Sequence, residues 1–166
     1  MLPKTADLMD RLLDYSGKAF SWLPLLLILI QFAVVMLVYV FKAGSIQLQE
    51  SLQYINAVMF LGGAGYTALK DGHVRVDLFY SGFTDPQKAM VNFYGTLFLL
   101  VPFLSLFWIS TLPYALESWR IMETSVESSG LPFVYILKTT LILFPLTLSL
   151  HVFTSLIRNY SAMRAK

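Results

Sequence analysis

The chain has 166 residues, 57% of them hydrophobic and only 13% charged, about half the roughly 25% charge of an ordinary globular protein. So few charges could not cover a water-soluble fold, and a mean hydropathy of +0.65 agrees that this is an integral membrane protein. A net charge of +2 gives no basis for nucleic-acid binding, and the lack of cysteine excludes disulfides, thiolate metal sites and thiol chemistry.

The N-terminal tail, Thr5 to Lys18, sets Leu8, Leu12 and Tyr15 on one helical face among Asp7, Asp10, Arg11 and Asp14. That pattern predicts an interfacial helix lying along the membrane. Four charge-free runs follow, and about 20 apolar residues cross a bilayer core. They are Ala19–Phe41, Ser51–Leu69, Ala89–Leu116 and Thr139–Ile157, the last extended by helix from about residue 135. The expected fold is therefore all-α, a single membrane domain over residues 1–166, with spans at about 19–41, 51–69, 89–116 and 135–157. Helix is required because lipid offers the backbone no hydrogen-bonding partner, and the runs lack the alternation of a β-barrel. The first run is too long for a signal peptide core and ends in Val40-Phe41-Lys42, a poor cleavage site. It is read as a permanent span.

Orientation follows from the basic residues of the connections. Lys4, Arg11, Lys18, Lys70, Arg75, Lys88, Arg158, Arg164 and Lys166 lie on one side, and Lys42, Arg120 and Lys138 on the other. Both termini are expected in the cytoplasm. The second span is rich in Gly62, Gly63, Ala64, Gly65 and Ala68, small residues that let another helix approach closely. Pro102 and Pro145 remove backbone donors and are expected to kink their helices.

No Asp, Glu, Lys or Arg falls inside the four runs, although such residues normally mark ion and proton pathways. That disfavours a self-sufficient ion-coupled carrier and favours an accessory subunit. No catalytic, cofactor or metal site is expected, and the chain is not read as an enzyme. His73 and His151 invite a haem or quinone site, but their different depths suit one haem poorly. After the second span, His73, Arg75 and Asp77 alternate with Val74 and Val76 in an amphipathic segment fit for anionic lipid or for a partner chain. The other large connection gathers Glu117, Glu123 and Glu127 against Arg120 and Lys138, a solvated cap on which a soluble partner could also dock.

Several segments resemble the small membrane subunit of TRAP transporters, the DctQ-like family. They are Leu48-Gln49-Glu50, the run Phe60 to Thr67, and Gly72-His73-Val74-Arg75-Val76-Asp77-Leu78-Phe79-Tyr80. Glu127 to Pro132, followed by Lys138, is similar to the branch labelled mannitol/chloroaromatic type. The likeness runs from about Val34 to Asn159, and departs at Val38, where many members have arginine, and at Asn56, where close relatives often have histidine. The resemblance implies a bacterial inner-membrane subunit, multi-pass, that works with a large permease subunit and a periplasmic solute-binding protein, surrounded by membrane lipids. Such systems import organic acids with sodium, and the small subunit is thought to brace the fixed scaffold. Gly63, Ala64, Thr67, Ala68, His73, Arg75 and Asp77 are then candidate contacts to the large subunit, and Glu50 and Glu127 candidate periplasmic-side contacts. The rival reading is a haem- or quinone-binding anchor of a respiratory complex.

Overall fold

A computed structural model describes residues 2–73 and 80–164, and every regular element among them is a helix. Helices α1 (Leu2–Phe20) and α2 (Leu23–Tyr39) run nearly end to end, interrupted at Ser21 and Trp22. Pro24 accounts for the interruption, since it has no N–H to give the carbonyl of Phe20. Helix α3 (Ile46–Leu69) starts on Ser45, whose Oγ accepts the Leu48 N–H at 3.3 Å. It stops in a left-handed turn at Asp71 (φ 58°), where Asp71 N–H reaches Ala68 O at 3.1 Å and Gly72 N–H reaches Thr67 O at 2.8 Å.

Helix α4 (Asp85–Gly95) is opened by a capping box in which Gln87 Oε1 accepts the Thr84 N–H at 2.9 Å. Five residues of π-helix, Thr96–Leu100, then lead into α5 (Val101–Arg120). The disturbance expected at Pro102 takes this form: Phe98 loses its usual donor, and the Val101 N–H reaches back to Thr96 O instead. A second proline, Pro113, lies inside α5. Pro145 acts similarly on the last rod. The carbonyl it cannot serve belongs to Leu141, and there α6 (Val134–Thr140) gives way to α7 (Leu143–Arg164).

Cross-helix contacts set the directions. Asp14 pairs with Lys70 at 2.7 Å, while Gly17 sits against Tyr66 and Gly62 against Phe20, so α1 and α2 run antiparallel to α3. Leu131 meets Glu50 and Thr147 meets Gly65, which makes α3 parallel to α6 and α7. Trp119 donates to Thr139 at 2.7 Å and Trp108 to Ser149 at 3.2 Å, so α4 and α5 return antiparallel. Arg158 pairs with Asp7 at 3.2 Å and with Asp10, which puts the beginning of α1 and the end of α7 at one end of the bundle. The core is Ala64, Leu104, Leu148 and Val152, with Ala68, Leu100 and Phe144 packed around them.

Among the described residues, three helical stretches are long and apolar enough to cross a membrane: Lys4–Tyr39, Asp85–Arg120 and Val134–Met163. The fourth expected span, α3, has 24 residues, about 36 Å at 1.5 Å each. Its glutamines, Asn56 and glycines dilute its hydropathy, and it is not one of the three. Yet α3 lies against α1, α2, α6 and α7, and Gly62, Ala64 and Gly65 are buried there.

The tail is helical, as its pattern predicts, and it turns the side opposite the apolar stripe to the bundle. Ala6, Leu13 and Gly17 are buried against the protein, whereas Leu8, Leu12 and Tyr15 are exposed. The outward apolar stripe is the part available to a membrane surface. The expected amphipathic segment after α3, with Arg75 and Asp77, falls in residues 74–79 and lies outside the described residues.

Candidate functional site

The small residues of α3 divide between two faces. A Cβ built on Gly62 would lie 2.6 Å from the Phe20 ring, and one on Gly65 would lie 2.6 Å from the Thr147 carbonyl oxygen. A side chain at Gly65 would have to displace the backbone of the neighbouring helix, and one at Gly62 would have to move the Phe20 ring. Ala64 is 8% exposed and belongs to the core, with Ala68 beside it. These residues close the bundle on itself. Gly63 is different, because a Cβ built there meets nothing within 4 Å.

Gly63 sits in a row of positions 49, 53, 56, 60, 63 and 67, spaced four, three, four, three and four, which is one face of a helix. Gln49, Gln53 and Asn56 are exposed on it, and so is Phe60 at 72%. Thr67 closes the row, its hydroxyl donating to the Gly63 carbonyl at 3.0 Å. The uncovered faces of α2 and α5 look quite unlike this. On α2 they show Leu25, Ile28, Leu29 and Phe32, and on α5 Phe103, Leu106 and Ile109, surfaces that acyl chains can cover. Amide side chains at membrane depth lack partners in lipid, and across helices they typically contribute about 0.6–2 kcal/mol each. The α3 row has the chemistry of a helix–helix contact.

At the end of the bundle opposite the termini, Glu50 holds the long connection in place. Its Oε1 accepts the Ser125 hydroxyl at 2.5 Å and its Oε2 accepts the Leu131 N–H at 2.6 Å. Those two donors, Ser125 first, hold the Glu50 carboxyl below its ordinary value. A Cβ on Gly130 would lie 2.3 Å from Ser125 Oγ and 2.6 Å from Glu50 Oε1, so a side chain at this turn would have to push both of them aside. Nearby, Lys138 pairs with Glu123 at 2.5 Å and lies 4.1 Å from the centre of the Tyr114 ring. Lys138, and then the Ser118 hydroxyl, lower the Glu123 carboxyl in turn. Glu127 remains exposed, its N–H donating to Ser125 Oγ at 3.1 Å. The loop is thus a tied cap whose outward acidic groups are Glu117 and Glu127, with Glu117 paired to Arg120 at 3.1 Å.

The sequence-predicted candidates separate accordingly. Gly63 and Thr67 lie on the uncovered α3 row, Ala64 and Ala68 face the chain's own core, and Glu50 is engaged with the loop. Arg75 and Asp77 are outside the described residues. His73 lines a cleft at the end of the bundle near the termini, and His151 lines the same cleft. Among the described residues, no group of three His, Cys, Asp or Glu could hold a metal ion. Gln53, Phe60, Ser125 and Leu131 were not singled out from sequence. The α3 spacing could have found the first two, but only the folded contact with Glu50 reveals the others.

The model of the DctQ component of tripartite ATP-independent periplasmic transporters matches residues 27–162. The chain belongs to the DctQ family. That stretch contains α3, the tied loop and the whole of the core, so the family match and the geometry concern the same part of the chain. No curated protein and no solved structure matches this DctQ subunit. DctQ is a small permease component of a transporter that also has a large permease and a solute-binding protein, and this membership gives the haem- or quinone-anchor reading no support.

Proposed function

We propose that this DctQ subunit crosses the bacterial inner membrane four times with both termini in the cytoplasm. In this reading it braces the large permease of a sodium-coupled importer of organic acids. The observation that carries the reading is the α3 row from Gln49 to Thr67. Phe60 apart, it is polar or small where the other outward faces are mostly apolar, and it is uncovered on a helix otherwise enclosed by its own chain. Enclosure also explains how α3 can span despite its modest hydropathy. It needs apolar residues only where lipid would touch it, and a second subunit on the open row leaves little of it to lipid.

The basic residues support the orientation, because the end of the bundle that gathers Lys70, Arg158 and the N-terminal helix has the larger share of them. The opposite end, with Glu117 and Glu127 outward, suits a periplasmic binding protein. The Glu127-Ser128-Ser129-Gly130-Leu131-Pro132 turn favours the mannitol/chloroaromatic-type branch. Bracing needs no charge in the spans, in keeping with their composition.

The test is capture in detergent. The tagged chain is expected to retain the large permease, and Gly63→Arg to lose it while the small subunit itself stays folded and monodisperse. Sodium-driven uptake by vesicles is expected only when both membrane subunits are present. Uptake by the small subunit alone, or retention unchanged by Gly63→Arg, would contradict the reading.

A further inference from the structure

Gln31 is the one hydrogen-bonding side chain on α2 before Tyr39, it is exposed, and the docking of α3 leaves it unused. Its direction follows from packing. The residues of α2 that turn to the protein are Leu23, Leu27, Ile30, Val34 and Leu37, spaced four, three, four and three, which is a seam against α3. Gln31 borders that seam on one side and Ala33 on the other. On α3, Gly62 and Tyr66 mark the side that receives Phe20 and Gly17, and with them α1 and α2. Seen from the N-terminus of α3, the open row lies about a third of a turn clockwise of that side. Helix α2 runs the other way, so from the same viewpoint its residues advance anticlockwise. The border of the seam that turns to the open row is therefore the one with Gln31.

Depth follows from the hairpin. The chain turns back between Tyr39 and Ile46, and Phe20 still lies against Gly62, so Gln31 is level with residues 51–54. Gln31 and Gln53 stand side by side on one outer surface, about 10–12 Å along their helices from the turn. Gln49 and Asn56 lie one helical turn to either side of Gln53, both exposed. None of these four amides has a hydrogen-bond partner among the described residues. Residues 74–79 cannot supply one. They are joined to His73 and Tyr80 beside the cleft at the other end of the bundle, and Gln53 is about 26 Å along α3 from Lys70.

We infer that Gln31 and Gln53 form an amide clamp for one helix of the large permease, a helix that carries uncharged hydroxyl or amide side chains in the periplasmic leaflet. This rests on the orientation and the docking of α3 proposed above, and it names what the partner presents there. Acyl chains offer these amides neither donor nor acceptor, so lipid is the costly occupant of this surface. Each primary amide brings two donors and an acceptor oxygen, which hydroxyl and amide groups can match. No acidic or basic side chain stands among the four, and the nearby Glu50 is held by Ser125 and Leu131. A charged group of the permease would find no countercharge at this depth. Leu29 and Phe32, turned away from the seam, stay with lipid.

Titration of the labelled subunit against the large permease in detergent, read by fluorescence transfer, tests the clamp. Gln31→Leu and Gln53→Leu should each weaken binding about three- to tenfold. The double variant should lose less than the two singles combined, because one partner helix serves both amides. Gln31→Leu should leave the unfolding midpoint of the isolated subunit unchanged or higher, since no bond within the chain is lost. Gln31→Glu and Gln31→Lys should both bind more weakly than Gln31→Leu, and tighter binding by either would reveal a charged partner group and overturn the inference. Binding that is lost in Gly63→Arg but untouched by Gln31→Leu would overturn the clamp and leave the docking of α3 standing. Binding indifferent to both substitutions would remove the docking itself. Self-association of the isolated subunit that Gln31→Leu abolishes would assign the amides to a second copy of this chain, and would also overturn the inference.

Discussion

The Gly65 N–H reaches Thr147 Oγ1 at 3.3 Å, 82 residues along the chain, and a Cβ on Gly65 would fall 2.6 Å from the Thr147 carbonyl oxygen. Helices α3 and α7 therefore meet backbone to backbone at this level. The Thr147 hydroxyl also donates to Leu143 O at 2.9 Å, which satisfies it within its own helix. Gly65→Leu must push the two helices apart, and overpacking of this kind typically costs about 1–3 kcal/mol. Thermal unfolding in detergent should show Gly65→Leu well below the wild type and Gly63→Leu close to it. Equal losses at the two positions would mean that the open row of α3 is in fact closed by the chain itself.

The loop held by Glu50 has a pH dependence with a definite sign. Glu50 and Glu123 both have folded carboxyls below their ordinary values, lowered by Ser125 and Leu131 in one case and by Lys138 and Ser118 in the other. Their contribution is complete above the unfolded value of about 4.3 and is lost as pH falls through the depressed folded value. Hydrogen exchange of residues 121–133 should be flat from pH 7 to about 5, after correction for intrinsic rates, and should rise in more acid solution. Glu50→Gln should give raised exchange at neutral pH. A loop equally protected in Glu50→Gln would show that the carboxylate does not hold it.

Lys70 works in the opposite direction. Its ammonium is raised by the Asp14 carboxylate, which joins the end of α3 to α1. That contribution is complete below the unfolded value of about 10.4 and lost as pH rises through the raised folded one. Since Lys70 is about half exposed, the effect should be small and weakened by salt. Exchange at residues 5–18 near pH 7 is expected to rise slightly in Lys70→Met at low ionic strength and to match the wild type at high salt.

Just beyond α5, Met122 turns the chain with φ 47°, the Met122 N–H bonding Trp119 O at 3.2 Å and the Glu123 N–H bonding Ser118 O at 3.0 Å. A side chain in that left-handed conformation costs about 1–2 kcal/mol. Met122 is 58% exposed and has little packing to lose. Met122→Gly should therefore stabilise the folded chain by about 1 kcal/mol, read as a higher unfolding midpoint. A lower midpoint would show that Met122 packs against something in the assembly.

Much of the fold is legible in the sequence because membrane helices advertise themselves by what they lack. The charge-free runs fall on helices, and Pro102 and Pro145 fall where the rods are disturbed. The form of the disturbance was hidden, because a missing N–H says only that one carbonyl must find another solution, and the neighbours choose it. Which residues of the N-terminal helix touch the bundle was hidden for a related reason. Leu8, Leu12 and Tyr15 make the more apolar stripe, but Ala6 and Gly17 are small enough to let α1 approach the bundle, and size decided the contact. Glycine content announced close packing in α3 without saying which glycines face inward. Gly62 and Gly65 do, and Gly63 does not. The cleft joins residues from four parts of the chain, and no local pattern foretells it.

The most direct measurement of the docking of α3 uses the absence of cysteine, which makes any introduced thiol unique in this chain. Gln53→Cys and Gly63→Cys on the open row, and Ile28→Cys on the apolar face of α2, are each labelled with a benzophenone maleimide in membranes containing the whole transporter, then illuminated. Adducts to the large permease from positions 53 and 63, with none from position 28, are the predicted result. Adducts from position 28 alone, with 53 and 63 labelling only lipid, would contradict it.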